Sequence, residues 1–256
     1  MSDLHAFSHH DPLALVCAVA LECERLREAF VLAEVIEVGR KRAWRGMLDG
    51  RAVILLPAGM GKVNAAQAAT ALLESRRVRG ILNFGVAGAY PGSGLEVGDV
   101  ALASACIYGD EGVEAPTGWM STEGIGIPLL ERRGVRTFNE FALDGARVQR
   151  ARESLEAEGI RAAVGPFVTL SACSGTAARG EELTQRFGAL CEGMEGAALA
   201  HVAALYDVPF VELRAVSNHV EDRDLSRWRL RDAAEAAQHA ARIVAAGWDT
   251  PARVAG

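Results

Sequence analysis

The chain has 256 residues, of which 50% are hydrophobic and 23% are charged, and its formal net charge is −6. This length and apolar content suffice for one large α/β domain with a sizeable core. The acidic balance argues against an extended basic face, so we expect no nucleic acid and no membrane as a partner. A small molecule is the expected substrate.

The five cysteines form an odd set without a CxxC pair, which favours reduced thiols in the cytoplasm. The first residues, MSDLHAFSHHDP, lack the apolar segment behind a basic start that a targeting signal needs. We therefore expect a mobile tail over residues 1–12, followed by a single domain over residues 13–250.

Short apolar runs that predict strands alternate along the chain with segments of helical spacing. The predicted elements are a strand at 13–19, a helix at 21–30, a hairpin at 43–59 turning at Asp49-Gly50, a helix at 63–75, strands at 80–85 and 96–109, a helix at 146–158, a strand at 163–171, a helix at 177–187, a short strand at 189–191, a helix at 195–206, a strand at 209–217 and a helix at 229–247. Residues 110–140, rich in Gly and Pro, predict a long loop. The alternation predicts an α/β fold whose mostly parallel sheet is covered on both faces.

Two predicted strand ends are rich in glycine. Gly59 precedes the helix at 63–75, and Gly85 and Gly88 lie at the end of the strand at 80–85. Glycine lets the backbone approach a ligand closely, and ligands of open parallel sheets bind beyond the carboxyl ends of the strands. Tight turns and close packing explain the same residues equally well.

Several polar residues stand out against apolar surroundings. Glu195 opens an apolar helix, and a buried carboxylate needs a partner or a ligand. Glu212 and Arg214 share one face of an apolar strand, where they form either a mutually neutralising pair or part of a site. Asn218, at the end of that strand, is either turn chemistry or a ligand contact.

Six segments in this order resemble the purine nucleoside phosphorylase and nucleosidase superfamily: ALECE (20–24), AGMGKVNAA (58–66), NFGVAGA (83–89), EVGDV (96–100), GMEGAALAHV (193–202) and VPFVELRAVSN (208–218). The resemblance implies a three-layer α/β sandwich around a twisted mixed sheet, of the phosphorylase/hydrolase type. It also implies an active site where the strand ends converge, and assembly into homo-oligomers. Since the chain has no HExxH motif, no nucleophile-elbow serine and no CxxC pair, we expect no metal and no cofactor.

Missing residues favour the hydrolytic branch of that family. Phosphorylases resemble R-x-G-[ST]-x-G where this chain has Asn83 at the arginine and Val86 at the hydroxyl. Neutral groups cannot supply the charge-assisted hydrogen bonds that phosphate needs, so water is the expected nucleophile.

The resemblance also implies roles for individual residues. Met194 and Glu195 match the pair under the ribose, with Glu195 accepting hydrogen bonds from the sugar hydroxyls. Glu24 matches the glutamate that activates water, and Arg214 matches the arginine that steadies it. Glu22 is the alternative to Glu24.

The base pocket is expected to use one amide and the glycine-rich strand end. Adenine-specific members resemble R-A-[IV]-S-D where this chain ends on Asn218, and an amide can donate to a 6-oxo group and to N7. Asn218 therefore predicts a hypoxanthine nucleoside. Phe84 is the hypothetical stacking residue, and the remaining expected substrate contacts are Gly59, Gly85, Ala87 and Gly88. The alternatives are an adenine nucleosidase and a non-catalytic nucleoside-binding protein.

Overall fold

The elements described here belong to residues 11–249 of a computed structural model. The strands are β1 (Leu13–Cys17), β2 (Val31–Val38), β3 (Lys41–Leu48), β4 (Arg51–Pro57), β5 (Gly80–Ala89), β6 (Val100–Tyr108), β7 (Gly112–Ala115), β8 (Gly118–Ser121), β9 (Leu130–Arg132), β10 (Val135–Thr137), β11 (Glu140–Ala142), β12 (Ala162–Thr169), β13 (Cys191–Gly193) and β14 (Phe210–His219). The helices are α1 (Glu24–Glu28), α2 (Lys62–Ser75), α3 (Gly145–Ala157), α4 (Ala177–Phe187), α5 (Gly196–Leu205) and α6 (Leu230–Gly247).

Ten strands form one central sheet. Nine follow the order β11-β6-β12-β13-β5-β1-β4-β3-β2, and β14 pairs with β5 and β6. Strands β4, β1, β5 and β14 run parallel, as do β6, β12 and β13, whereas β13 is antiparallel to β5 and β14 is antiparallel to β6. The sheet is therefore mixed, which confirms the predicted fold class and replaces the mostly parallel sheet expected from the alternation alone.

The sheet is buried on both faces. In β1, Ala14 and Val16 join the core cluster that includes residues of α2 and α5. Leu13, Leu15 and Cys17 join the cluster that includes residues of α3 and α6. Because strand side chains alternate between the two faces, a run of five buried residues is what a strand between two helical layers requires. The three-layer arrangement follows.

Most predicted elements agree with the structure to within a few residues; the differences are two hairpins, strand β2 and the short strand β11, none of which was predicted from the sequence. The segment at 110–140, expected to be a loop, contains two small antiparallel hairpins, β7–β8 and β9–β10. Strand β2 lies at the edge of the sheet with most of its side chains exposed. Its sequence, VLAEVIEV, is rich in β-branched residues, so a strand signal was present there and the sequence analysis did not use it.

The ends of the chain lie outside this description. Of the tail predicted at 1–12, only Asp11 and Pro12 are described, and the single domain over 13–250 remains a prediction. Between residues 11 and 249, no helix is both long enough and apolar enough to cross a membrane.

Candidate active site

A buried carboxylate follows the end of β1. After β1, a 3-10 turn over Ala20–Glu22 turns the side chain of Glu22 back toward the strand end. Its Oε2 accepts hydrogen bonds from the backbone N–H groups of Ala18 at 2.9 Å and Val19 at 3.1 Å, and its Oε1 accepts one from Val86 of β5 at 2.9 Å. Glu22 is only 3% exposed. Three backbone donors fix this carboxylate between two neighbouring strand ends.

Glu24, which the sequence predicts to activate water, lies on the surface and not beside Glu22 at the strand end. It is the first residue of α1, is exposed, and lines a surface cleft with Arg25, Glu28 and Glu235. Two residues of helix rotate a side chain by roughly 200°. The inward position therefore belongs to Glu22, the alternative, and the choice of Glu24 is corrected.

A second buried carboxylate, Glu195, sits at the N-cap of α5. Its Oε1 accepts a hydrogen bond from the N–H of Gly61 at 2.8 Å, and its Oε2 lies 3.7 Å from Nη2 of Arg214. Burial raises the pKa of Glu195 above its ordinary value, although the charge of Arg214 and the Gly61 N–H act in the opposite direction. The ionised form of Glu195 is therefore favoured by Arg214 and by the N–H of Gly61.

Arg214 is the cation of this site. It is 3% exposed, and its Nε and Nη2 both lie 2.8 Å from Oε1 of Glu212. Burial lowers its pKa, but the charges of Glu212, Glu195 and Glu22 outweigh that effect and raise it overall. The pair suggested by the sequence exists. Arg214 contacts the carboxylates of Glu212 and Glu195 and feels the charge of Glu22, whereas the surface residue Glu24 is not among its partners.

Glycines make room for these groups. A Cβ on Gly85 would lie 2.8 Å from Nη1 of Arg214 and closer still to Oε1 of Glu22. Gly61, with φ of +91°, adopts a conformation that favours glycine while its N–H reaches Glu195. The sequence analysis missed Gly61, whose signal was a second glycine directly before α2.

At the position where a phosphorylase would carry arginine, this chain has Asn83, whose amide already donates a hydrogen bond to Glu212. Asn83 is 1% exposed, and its Nδ2 donates to Oε1 of Glu212 at 3.1 Å. Val86, where a hydroxyl is expected, offers none. These two residues provide no charge for an anion.

The two side chains expected to bind the base differ in burial: Asn218 is half-buried and Phe84 is fully buried. Asn218 is half-buried at the end of β14, opposite Gly88 in the sheet register, with its Oδ1 accepting from Ser217 Oγ at 2.8 Å. Phe84 is fully buried in the core between the sheet and α6, so its proposed stacking role is wrong.

Of the other expected contacts, Met194 touches a carboxylate, whereas Ala87 and Gly59 contact neutral residues. Met194 is half-buried beside Glu195, and its N–H donates to that carboxylate at 3.3 Å. Ala87 is buried, and its carbonyl accepts from Ser217 Oγ at 3.2 Å. Gly59, with φ of +90°, packs against Asn64 at the start of α2.

Glu192 is a further buried carboxylate that the sequence did not single out. On β13 it is 4% exposed and accepts hydrogen bonds from the N–H and Oγ of Ser174, both at 2.7 Å. It thus fastens the loop after β12 beside the strand ends. Its signal in the sequence was a charge inside a three-residue strand.

The chain belongs to the Phosphorylase superfamily, which its sequence matches over residues 12–246. Among its relatives is a futalosine hydrolase of Thermus thermophilus, 39% identical over 203 residues, covering 78% of this chain and 84% of that protein. A 5'-methylthioadenosine/S-adenosylhomocysteine nucleosidase of Geobacillus thermodenitrificans is 30% identical over 234 residues, covering 90% and 93%.

Solved structures share the fold. The 5'-methylthioadenosine/S-adenosylhomocysteine nucleosidase of Neisseria meningitidis, in complex with methylthio-immucillin-A, superposes with a TM-score of 0.79 at 27% identity, covering 92% of this chain and 99% of that one. A futalosine hydrolase of Helicobacter pylori gives the same score at 21% identity, covering 93% and 98%, which bears on the fold alone.

Proposed function

We propose that this chain hydrolyses the N-glycosidic bond of futalosine, releasing hypoxanthine and dehypoxanthine futalosine, a step of menaquinone biosynthesis. The chain is an N-glycosyl hydrolase by its family and by its relatives, which are named as hydrolases and nucleosidases. The choice of futalosine is the proposed part. It is supported by Asn218 and by the 39% identity over 203 residues to the futalosine hydrolase of Thermus thermophilus.

The observation that carries the hydrolytic mechanism is the cluster of buried carboxylates around one arginine. Glu22 and Glu195 lie at strand ends that meet beside Gly85, and each carboxylate is held by backbone N–H groups. In the proposed reaction Glu22 orients and deprotonates water, and Glu195 accepts hydrogen bonds from the sugar hydroxyls. Negative charge beneath the ring stabilises the positive charge that grows on the sugar as the bond to the base breaks.

Asn218 takes the proposed role at the leaving base. Its amide donates one N–H to the carbonyl of His219 at 3.0 Å, and the second N–H can donate to N7 or to the 6-oxo group of hypoxanthine, whereas adenine offers a 6-amino donor at the same place. Hydrogen bonds that strengthen as negative charge develops on the departing base lower the barrier. Met194 lies under the sugar in this scheme.

The test is a chromatographic assay of futalosine, aminofutalosine, inosine and methylthioadenosine, each with and without phosphate. We expect fastest release of hypoxanthine from futalosine, with no acceleration by phosphate. A sugar phosphate product would overturn the hydrolytic mechanism. Preference for adenine substrates would instead favour the second candidate, a methylthioadenosine/S-adenosylhomocysteine nucleosidase, which the 30% identity over 234 residues supports.

A non-catalytic nucleoside-binding protein is the third candidate. It would bind futalosine without releasing base, and Glu22→Gln would leave its behaviour unchanged. Release of hypoxanthine by the wild type and its loss in that variant would exclude this candidate.

A further inference from the structure

A fully buried carboxylate that the proposed mechanism does not use lies beneath the site. Glu212 of β14 is 2% exposed, and the hydrogen bonds that it accepts come from buried side chains. Its Oε1 receives Nε of Arg214 at 2.8 Å and Nδ2 of Asn83 at 3.1 Å, while its Oε2 receives the thiol of Cys106 at 3.0 Å. Three strands, β5, β6 and β14, therefore hold this one carboxylate in place.

The start of α5 is shaped around Glu212. A Cβ on Gly196 would lie 2.5 Å from Oε1 of Glu212 and closer still to Oε2. Gly196 directly follows Glu195, the residue expected under the sugar. Glycine at this position thus lets the helix that carries Glu195 approach the carboxylate below it.

The charges of the cluster do not cancel when all its groups are ionised. Glu22, Glu195 and Glu212 are 3%, 5% and 2% exposed, and the guanidinium of Arg214 is the cation among them. Buried charges are costly unless they are paired. Arg214 is already engaged by Glu212 at 2.8 Å and lies farther from Glu195, at 3.7 Å. The excess negative charge therefore falls on the two carboxylates at the strand ends.

We propose that Glu212 is a positioning residue of the sugar site: it holds Arg214 below the pocket and offsets its charge, so that Glu22 and Glu195 present excess negative charge to the sugar. This inference rests on the proposed function and extends it. An arginine without this partner would neutralise the carboxylates that a cationic sugar needs. Glu212 touches neither sugar nor water in this scheme and acts through Arg214.

Replacement of Glu212 by glutamine separates this role from a structural one. Gln keeps the shape and an acceptor for Arg214 but removes the charge. Because futalosine binds with an uncharged sugar and reaches a transition state with a cationic one, kcat falls by about tenfold while KM changes little.

The pH profile gives a second readout. The titratable and charged groups facing this cluster are Cys17, Glu22, Cys23, Cys106, Cys173, Cys191, Glu192, Glu195, Glu212 and Arg214. The charge of Glu212 is one of the causes that raise the pKa of Glu195. In Glu212→Gln the acid limb of kcat/KM therefore moves to lower pH.

The experiment compares wild type, Glu212→Gln, Glu212→Asp and Glu182→Gln, with folding verified by circular dichroism. Glu212→Asp keeps the charge and restores most of kcat and the position of the acid limb. Glu182 is an exposed carboxylate on α4 paired with Arg179 and Arg186, so its change to Gln removes an arginine-paired charge far from the cluster and leaves both readouts unchanged. Equal kcat and acid limb in Glu212→Gln and wild type would overturn the inference.

A binding measurement makes the result independent of turnover. Calorimetry compares a protonated pyrrolidine linked to 9-deazahypoxanthine, a cationic mimic of the sugar, with hypoxanthine alone. Glu212→Gln raises the Kd of the cationic ligand by about tenfold and leaves the Kd of hypoxanthine unchanged. Equal losses for both ligands would indicate a merely structural role and would overturn the inference. Failure of the wild type to cleave any nucleoside would instead refute the proposed function, while this binding comparison would still decide the role of Glu212.

Discussion

Glu22 and Glu24 are separated by one residue and have opposite environments. The carboxylate of Glu22 accepts three backbone hydrogen bonds at the strand ends, whereas Glu24 is exposed on α1. Glu22→Gln should lower kcat/KM by about a hundredfold or more, since it removes the proposed general base. Glu24→Gln is the matched control and should retain wild-type kcat/KM in the same assay. A loss confined to Glu24→Gln would restore the original assignment.

Asn218 makes the choice of base testable by a change of one non-hydrogen atom. Asn218→Asp replaces the donating NH₂ with an oxygen, which accepts from a 6-amino group. The ratio of kcat/KM for futalosine to that for aminofutalosine should fall by about tenfold or more, the scale set by one unpaired polar group in a base pocket. An unchanged ratio would show that the amide does not select the base.

The sequence predicts part of the site because some residue types carry their own signal. Glu195 and Arg214 stand out as charges in apolar segments, and both prove buried and within 3.7 Å of each other. The sequence could not predict which of Glu22 and Glu24 faces the site, because a three-residue 3-10 turn decides which side chain points inward. Phe84 failed for a similar reason: its strand has two buried faces, and the pattern does not say which one leads to the site.

At the scale of elements, the middle of β5 must have no side chain where it passes the acidic cluster at Gly85. Gly85→Ala would drive a methyl group into Glu22 and Arg214, and neither side chain has free space in which to move. We expect a loss of about 1–3 kcal/mol in the free energy of unfolding together with loss of activity.

Gly145 provides the control for this substitution. It begins α3, and a Cβ there meets nothing within 4 Å. Gly145→Ala should keep wild-type activity and be stabilising by up to about 1 kcal/mol, since alanine favours a helix over glycine. Denaturant unfolding of both variants checks the pair. Similar destabilisation of both variants would mean that the contacts around Gly85 do not determine the loss in the free energy of unfolding.

Element prediction succeeded where burial leaves a pattern in the sequence. Strand β1 has five buried residues in a row, and α6 turns a row of alanines toward the core. The hairpins β7–β8 and β9–β10 have mostly exposed or half-buried residues, so no apolar alternation marked them. Their formation depends on cross-strand pairing between short segments, which propensity does not predict.

At the scale of the whole molecule, the buried charges make stability depend on pH. The pKa of Glu195 is raised in the folded state, so its contribution is fully present below its unfolded pKa of about 4.3 and is lost as pH rises through the folded pKa. Glu195→Gln has no such loss. The free energy of unfolding of the wild type should therefore fall relative to this variant as pH rises through that window. Parallel curves from denaturant titrations at pH 4.5 to 8 would contradict this expectation.

The class of the fold was predictable from alternating strands and helices, but the strand order was not. Apolar runs look alike whether their neighbours run parallel or antiparallel, so nothing in the pattern predicted that β14 would pair with both β5 and β6. The mixed sheet was predicted from the resemblance to the superfamily and not from the hydrophobic pattern.

Strand β5 borders β1 on one side and both β13 and β14 on the other. A single residue inserted or deleted within it would invert which side chains face each layer and would shift the backbone donor at Val86 out of reach of Glu22. Strand β2 pairs only with β3 and has mostly exposed side chains, so insertions there disturb fewer contacts. The number of residues in β5, by contrast, is constrained by three neighbouring strands and by two helical layers.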